Sequence, residues 1–525
     1  MLAVITMVIT MPEQPGIMDR ILKKTPVQIV LFYSACLLSM TSHADQLQIS
    51  PTLNLKETYN DNVYLTPGDA KKSAFITEVM PGVLVTANGP AFKLNLNYAI
   101  QELNYAGETN STQSNQILTA NSKEEFVKDL FYFENSANIS QQNYSAFAPQ
   151  TPNNQTLSSN RYETRSYDLQ PYFQTNFSQS ASGEIRFIHN YIDTTNGGLL
   201  DSVSNTLRTT LKSGPAFKTV DWNLLYSDEK INYKTQSNLE LQSTTLNSGY
   251  HLSSAMALTA SVGYERNDYL TADGQKPEGG DWSLGFSWTP SERTTLTASF
   301  GRHYYGNTYS LLANERTYAT VWNLGYNDGL TTSRSQLLVP GATNTSDFLN
   351  ALWKSSIPDS TQRQQAIDAF IQNTGLPATL TTPVNTVTEQ VFLQKHLQGS
   401  VALSGTRNTL ILSVFDIRRD SQSLPLGSQG GSIAQYNNTR QTGANIMWSH
   451  NFTPRTNSSI MASRSKSVSE SPAITFDSNV FTSSLNHQWD PRLRATLEYQ
   501  YIQSRADNAT GAKDNLLSVL LAFKF

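Results

Sequence analysis

Alternation of apolar and polar residues, renewed from Gln46 to the last residue, is the feature that most restricts what this chain can fold into. Leu47, Ile49, Pro51, Leu53 and Leu55 alternate with Gln46, Gln48, Ser50, Thr52 and Asn54. Phe92, Leu94, Leu96, Tyr98 and Ile100 alternate with Lys93, Asn95, Asn97 and Gln101. The pattern returns at Val220–Tyr226, Leu258–Tyr264, Trp282–Trp288, Trp322–Tyr326, Ala444–Trp448 and Ala495–Tyr501. A period of two puts one residue class on each face of a strand. A single segment of this kind would also suit a soluble sandwich. A whole chain of them, each about ten residues or longer, is the signature of a transmembrane barrel. Lipid offers no partner to a backbone N–H or C=O, so strands can cross it only as a closed sheet.

Composition supports that reading and removes others. Charged residues make up 15% of the 525 residues, against roughly a quarter in soluble proteins; the polarity comes from Asn, Gln, Ser and Thr. With 38 Lys+Arg against 42 Asp+Glu, the chain lacks the basic surplus of a nucleic-acid binder. Past the N-terminus there is no run of about 18 apolar residues, which excludes a helical membrane protein.

Residues 1–44 read as a signal peptide: Arg20, Lys23 and Lys24 precede an apolar stretch from Val27 to Met40, and Ser42-His43-Ala44 offers a cleavage site before Asp45. Residues 1–17 look like an over-long start, because Met18 opens a leader of ordinary length. The only cysteine, Cys36, lies in this segment, so the mature chain has no disulfide chemistry. A lipoprotein reading of Tyr33-Ser34-Ala35-Cys36 fits poorly because of the leading Tyr. Residues 45–525 are then the barrel.

Connections alternate between short and long. Asn88-Gly89-Pro90, Ser213-Gly214-Pro215, Thr289-Pro290, Ser404-Gly405-Thr406, Thr453-Pro454 and Asp490-Pro491 are short turns, expected on the periplasmic side. Ala146–Asn160, Thr271–Gly280 and Gln422–Ser432 are longer loops, expected outside the cell. An aromatic residue, a Pro two residues on and an aliphatic residue eight on recur as Trp288/Pro290/Leu296, Phe452/Pro454/Ile460 and Trp489/Pro491/Leu497. Trp288, Phe452 and Trp489 are therefore expected in an interfacial aromatic girdle. Leu517, Val519, Leu521, Phe523 and Phe525 hold every second position at the end of the chain. That resembles the terminal-strand signal of outer-membrane proteins, and implies outer-membrane lipid and the barrel-assembly machinery as partners.

About 21 strands are visible as pattern, and an even number is required. A turn at Asn327-Asp328-Gly329 followed by a strand from Leu330 to Leu338 would restore parity. The expected fold is thus all-β: a single large antiparallel transmembrane barrel of about 22 strands, or 20 as the alternative. It carries a helical loop insert at 339–386. There Ser346-Asp347 caps one helix through Trp353. Ser360 caps a second, with Ile367, Phe370 and Ile371 on one face, Gly375 as its stop and Pro377 beyond. Such an insert either caps the barrel outside or enters the lumen; wide barrels are often plugged, and partial blocking of the lumen is the expectation.

Pro51-Thr52-Leu53, Tyr59-Asn60-Asp61-Asn62-Val63 and Met80-Pro81-Gly82-Val83 resemble the opening of outer-membrane barrels associated with exopolysaccharide and PEP-CTERM/exosortase gene clusters. Arg363-Gln364-Gln365-Ala366, Gly375-Leu376-Pro377 and Ser404-Gly405-Thr406-Arg407-Asn408 share the resemblance. It implies an outer-membrane protein tied to secreted polysaccharide, with the polymer and polysaccharide-export proteins as partners. It brings no catalytic residue.

The chemistry-bearing residues are sparse. No phosphate-cradling glycine loop, metal-spaced His/Cys cluster or G-x-S-x-G elbow occurs, so neither enzyme activity nor a cofactor, metal or nucleic acid is expected. His189, His251, His303, His396, His450 and His487 fall singly along the chain. His303 is the most tempting base, but no nucleophile can be assigned to it, and a lumen or interfacial histidine is the simpler reading. Asp61 could ligate calcium, although an Asx turn accounts for it better. The candidate lumen lining is Lys93, Asn95, Asn97, Gln101, Arg186, Asn190, Arg208 and Lys212, with Arg316, Arg334, Lys395 and Arg464 of less definite phase. The sequence as a whole points to an exopolysaccharide export channel or an accessory to one, with a general diffusion porin as the alternative and a barrel-scaffold enzyme third.

Overall fold

The structure, a computed structural model, describes residues 46–525 except 69, 108–110, 196–200, 236, 270, 272–273, 275, 424–437, 472, 508–510 and most of 339–389. The signal peptide, its cleavage site and Cys36 lie outside the described residues, as does most of Gln422–Ser432.

Among the described residues, twenty-two strands follow one another. They begin with β1 (Gln46–Asn60), β2 (Ala74–Asn88), β3 (Phe92–Gly107), β4 (Ser111–Val127), β5 (Phe131–Asn143), β6 (Arg161–Phe177) and β7 (Ala181–Thr194). Next come β8 (Ser202–Ser213), β9 (Val220–Tyr233), β10 (Leu239–His251), β11 (Met256–Asp268), β12 (Glu278–Ser291), β13 (Thr294–His303) and β14 (Gly306–Arg316). The last are β15 (Thr320–Thr332), β16 (Val391–Ser404), β17 (Asn408–Ser421), β18 (Asn438–Thr453), β19 (Thr456–Glu470), β20 (Ala473–Asp490), β21 (Leu493–Ala506) and β22 (Ala512–Lys524). A six-residue helix, α1 (Ser333–Leu338), follows β15.

Each strand pairs antiparallel with its neighbours in sequence, and β22 pairs with β1, so the sheet closes on itself. At that seam Leu53 faces Phe523, Leu55 faces Leu521 and Tyr59 faces Leu517. Closure satisfies the edges that would otherwise present unpaired backbone to lipid. Two internal prolines mark where it is imperfect. Pro81 is paired towards β1 and Pro171 towards β5, but neither is paired on its other side, where the ladder resumes in unchanged register. Proline has no N–H to give, so one side of the ladder must skip it. The three aromatic-x-Pro motifs coincide with register shifts, between Trp288 and Ser291, Asn451 and Thr453, and Gln488 and Asp490. Gly214, in the turn after β8, has no room for a side chain, since a Cβ there would lie 2.2 Å from the Gln179 carbonyl oxygen.

One expectation about the strands fails. Asn327-Asp328-Gly329 is not a turn: β15 runs straight through it, with Asp328 paired to Lys395 and Gly329 to Gln394. Leu330–Leu338 is not a strand either, because β15 ends at Thr332 and α1 begins at Ser333. The reversal that keeps the count even lies elsewhere. Tyr304 and Tyr305 alone join β13 to β14, and a turn with no Asn or Gly at its centre leaves no mark in a pattern.

The outer face is the apolar one. Leu258, Val262, Leu284, Trp322 and Ile185 point outward and remain between 50% and 60% exposed, and Phe187 is outward at 43%. A belt of that kind, covered in lipid, is what makes the closed sheet stable in a bilayer. Near the long-loop end the Tyr59 and Phe75 rings meet at a tilt, 5.2 Å between centroids. The interior carries the opposite phase.

Candidate functional site: the lumen and what occupies it

All eight lining residues expected from the sequence take the inward phase, opposite to outward-facing side chains such as Ile185, Phe187 and Leu207. Lys93, Asn95, Asn97, Arg208 and Lys212 are exposed to the lumen. Arg186 is held: its Nη1 donates to Glu134 at 2.8 Å and Gln170 at 2.7 Å, its Nε donates to Glu184 at 2.8 Å, and its guanidinium lies 3.8 Å over the Tyr172 ring. Lys123 adds a second cation on Glu134 at 2.9 Å. The wall from β3 to β8 is therefore a ladder of cations, only some of them neutralised. Arg316 also takes the inward phase, paired with Val321. Lys395 and Arg464 do not. They share the outward phase of Leu397 and of Ile446 and Trp448, and Arg464 sits 3.8 Å from Asp477 on the outer rim.

Two segments fill this lumen from the long-loop end. The first is the β5–β6 loop, expected outside the cell. Instead of projecting away, its middle turns into the mouth. Gln155 Nε2 donates to Glu78 at 2.9 Å, Asn154 Nδ2 to Gln101 at 2.7 Å and Thr156 Oγ1 to Asp514 at 3.0 Å. Leu157 packs on Val63, Ile76 and Leu103. Strands β1, β2, β3 and β22 thus share one polar cork. Gln101 is buried because the loop covers it. Asp61 serves the same rim: Asn60 accepts from the Asn62 amide at 2.7 Å in an Asx turn, and the Asp61 carboxylate accepts from Asn515 N and Nδ2 at 2.7 and 2.8 Å. The calcium alternative is not needed.

The second is the helical insert. Among its described residues, 346, 349–350, 353, 363–364, 366–368 and 370–371 are helical, as the apolar face predicted; Asp347, Ser360, Gly375 and Pro377 lie outside the described residues. Arg363 ties the two helical stretches together, donating to Asn350 at 2.6 Å and to the Ile357 carbonyl at 2.7 Å. Trp353 meets Phe370 edge-on at 5.1 Å. Leu349 and Ile367 are fully buried against Val321, Ala402, Ile411 and Met447. Those four occupy one row across β15–β18, on the inward face and at the short-turn end. β15 ends at the other end, so these described residues of the insert lie roughly 36 Å of strand length from it, at about 3.3 Å per residue. Its described residues lie inside the lumen, where a plug would, and not in an outer cap.

At the same long-loop end the lumen is also crossed by an apolar contact. Ile231, Tyr233, Leu239 and Tyr269 from one side pack on Val391 and Leu330 from the other. Arg334 of α1, buried at 2% exposure, crosses to the β7–β9 wall. Its Nε donates to Ser202 at 2.9 Å, its Nη2 to the Asn190 carbonyl at 3.2 Å and to the Asn190 side chain, and its Nη1 lies 3.5 Å from Glu229. Burial pulls the Arg334 guanidinium below its ordinary range, and Glu229 opposes that. Asn190 is thus a latch for α1, not a free lining residue.

Sequence reasoning missed one inward cluster altogether. His303 Nδ1 lies 3.0 Å from Glu265 Oε1, and Asp281 completes a set whose ligand atoms all lie within 4.8 Å of one another. Three strands supply one residue each, so no spacing in the chain announces it. The girdle residues Trp288, Phe452 and Trp489 point outward at the short-turn ends of β12, β18 and β20, exposed by 39%, 51% and 51%. Leu517, Val519 and Phe525 are likewise outward and exposed, and Leu521 and Phe523 share their phase along the seam.

A closed barrel of 22 strands with an apolar belt outside and a polar, plugged lumen is an outer-membrane β-barrel. No family model and no curated protein matches the sequence. Among solved structures, the chain is similar to the FrpB iron transporter from Neisseria meningitidis (F5-1 variant), with a TM-score of 0.51 and 11% identity over 93% of this chain and 84% of that one. The F3-3 variant of the same transporter gives 0.49, at 11% identity over 93% and 83%. OccD3 of Pseudomonas aeruginosa gives 0.34, at 9% identity over 92% of each chain. At these identities the likeness is one of fold, and only the first is close enough to carry even that.

Proposed function

We propose that this barrel acts as, or is accessory to, a channel for export of a secreted polysaccharide. One observation carries the reading: Leu349 and Ile367 seal the insert against the inner wall at the end opposite to where it enters. A channel wide enough for a polymer must not leak small solutes between substrates, and a wide barrel needs an internal element to prevent that. The β3–β8 wall suits the cargo, since Lys93, Arg208 and Lys212 can attract acidic sugars while Asn95 and Asn97 hydrogen-bond hydroxyls. The motif resemblance to barrels of exopolysaccharide clusters points the same way.

The deciding experiment replaces 339–386 with a short Gly-Ser linker. Conductance in planar bilayers and sensitivity to large antibiotics should both rise, and deletion of the whole gene should abolish polymer secretion. A wild-type protein that is steadily open, in a strain whose secretion does not need it, would instead make it a diffusion porin.

A further inference from the structure

We propose that Glu265, Asp281 and His303 form a binding site for a first-row divalent transition-metal ion, open to the outer part of the lumen. The register places them together. Asp281 pairs with Gly263, two residues from Glu265 on β11, and His303 ends β13 just beyond Arg302, the partner of Trp282. All three take the inward phase, because Val262, Trp282 and Leu284 take the lipid-facing one. Their ligand atoms lie within 4.8 Å of one another, close enough for one ion with bonds of about 2.0–2.2 Å after small side-chain shifts.

The second observation is a deficit that hydrogen bonding leaves unfilled. Asp281 is only 6% exposed, yet its Oδ1 has no partner among the described residues, and neither has Oε2 of Glu265. A buried carboxylate oxygen without a donor is costly, and native structures rarely leave one so without an ion or water there. The neighbourhood is shaped to keep the Asp281 carboxylate in place: a Cβ on Gly263 would lie 2.5 Å from its Oδ1. A tyrosine roof covers the cluster from above. Tyr305 stacks on His303 at 5.0 Å, and Tyr304 is locked to Tyr269 by a 2.8 Å hydrogen bond. His303 and Glu265 keep 22% and 18% side-chain exposure, which leaves an entry path. Glu265 now holds the imidazole through Nδ1, and an incoming ion would take that nitrogen and release its proton.

One imidazole with two carboxylates selects the ion. Oxygen-only ligands suit calcium and magnesium, whereas a nitrogen ligand favours cobalt, nickel or zinc over manganese, and all of these over calcium. The full mature chain, folded in detergent, is titrated with Co²⁺ and Zn²⁺ alone. It should bind one tight equivalent with Co²⁺ ligand-field absorption, unaffected by millimolar Ca²⁺ or Mg²⁺. Asp281→Asn and His303→Gln should each weaken that binding by about tenfold or more while keeping heat-modifiable migration. Where a variant does not fold, X-ray absorption of the wild-type Zn²⁺ form decides instead, and should show one imidazole nitrogen among oxygen ligands. The proposal is overturned by any of three results: no binding below millimolar Co²⁺, folded variants that bind as wild type does, or an all-oxygen coordination shell. It stands independently of which solute the barrel carries.

Discussion

Arg186 and Arg208 face each other across the β7–β8 pair, yet they do different work. Arg186 is anchored by two carboxylates, an amide and an aromatic face, whereas Arg208 is exposed to lumen water. Arg186→Ala leaves Glu134 and Glu184 short of a donor, and should cost about 2 kcal/mol in urea unfolding. Arg208→Ala should change stability by less than about 0.5 kcal/mol but shift bilayer ion selectivity towards cations. Equal stability losses for the two would show that the network is not structural. At this scale the sequence was readable wherever apolar residues marked the phase, as they do around Lys93 and Arg208. It misled at Lys395 and Arg464. Val391-Phe392-Leu393 and Ile460-Met461-Ala462 are consecutive apolar runs that mark no face, so the phase beyond them could not be counted.

Elements repeat the lesson. The helices of the insert could be placed from their apolar face, but their destination could not, because it depends on a row of side chains from four strands. That contact is the one to test. Ile367, with no exposure, sits in the middle of it, and Ile367→Ala should weaken the plug–wall contact by about 2–5 kcal/mol. The expected readout is faster proteolysis of the insert in folded protein and more frequent openings in single-channel records. An unchanged proteolysis rate would mean that the cluster does not hold the plug. Asn327-Asp328-Gly329 misled for a different reason. The upper half of β15 stands near the polar rim, where a strand can carry turn residues without exposing them to lipid. The Glu265–Asp281–His303 cluster was invisible in principle, since strand register alone brings its members together.

For the molecule as a whole, orientation can be read with cysteines, because Cys36 is the only native one. Cysteine at Ser159, exposed on the β5–β6 loop, should react with an impermeant maleimide on intact cells, while cysteine at Thr156, 2% exposed within the cork, should not. Cysteine at Ser291 or Arg492, in short turns, should stay unlabelled until the outer membrane is opened; the reverse pattern would invert the barrel. Deleting Phe525, whose amide bonds the Pro51 carbonyl at 2.9 Å, should leave the protein periplasmic or degraded. Normal heat-modifiable migration of that truncation would show that the seam needs no such clasp. The seam also sets a timetable. Thr58 and Ser518 share a 2.8 Å hydrogen bond although 460 positions separate them. Closing so long a loop adds little to the equilibrium cost, about 0.6 kcal/mol per doubling of length, but contacts this remote form late. The first strand to be synthesised must therefore wait, one edge bare, until the last has arrived, and throughout that wait it needs an escort to keep it from pairing with the wrong chain.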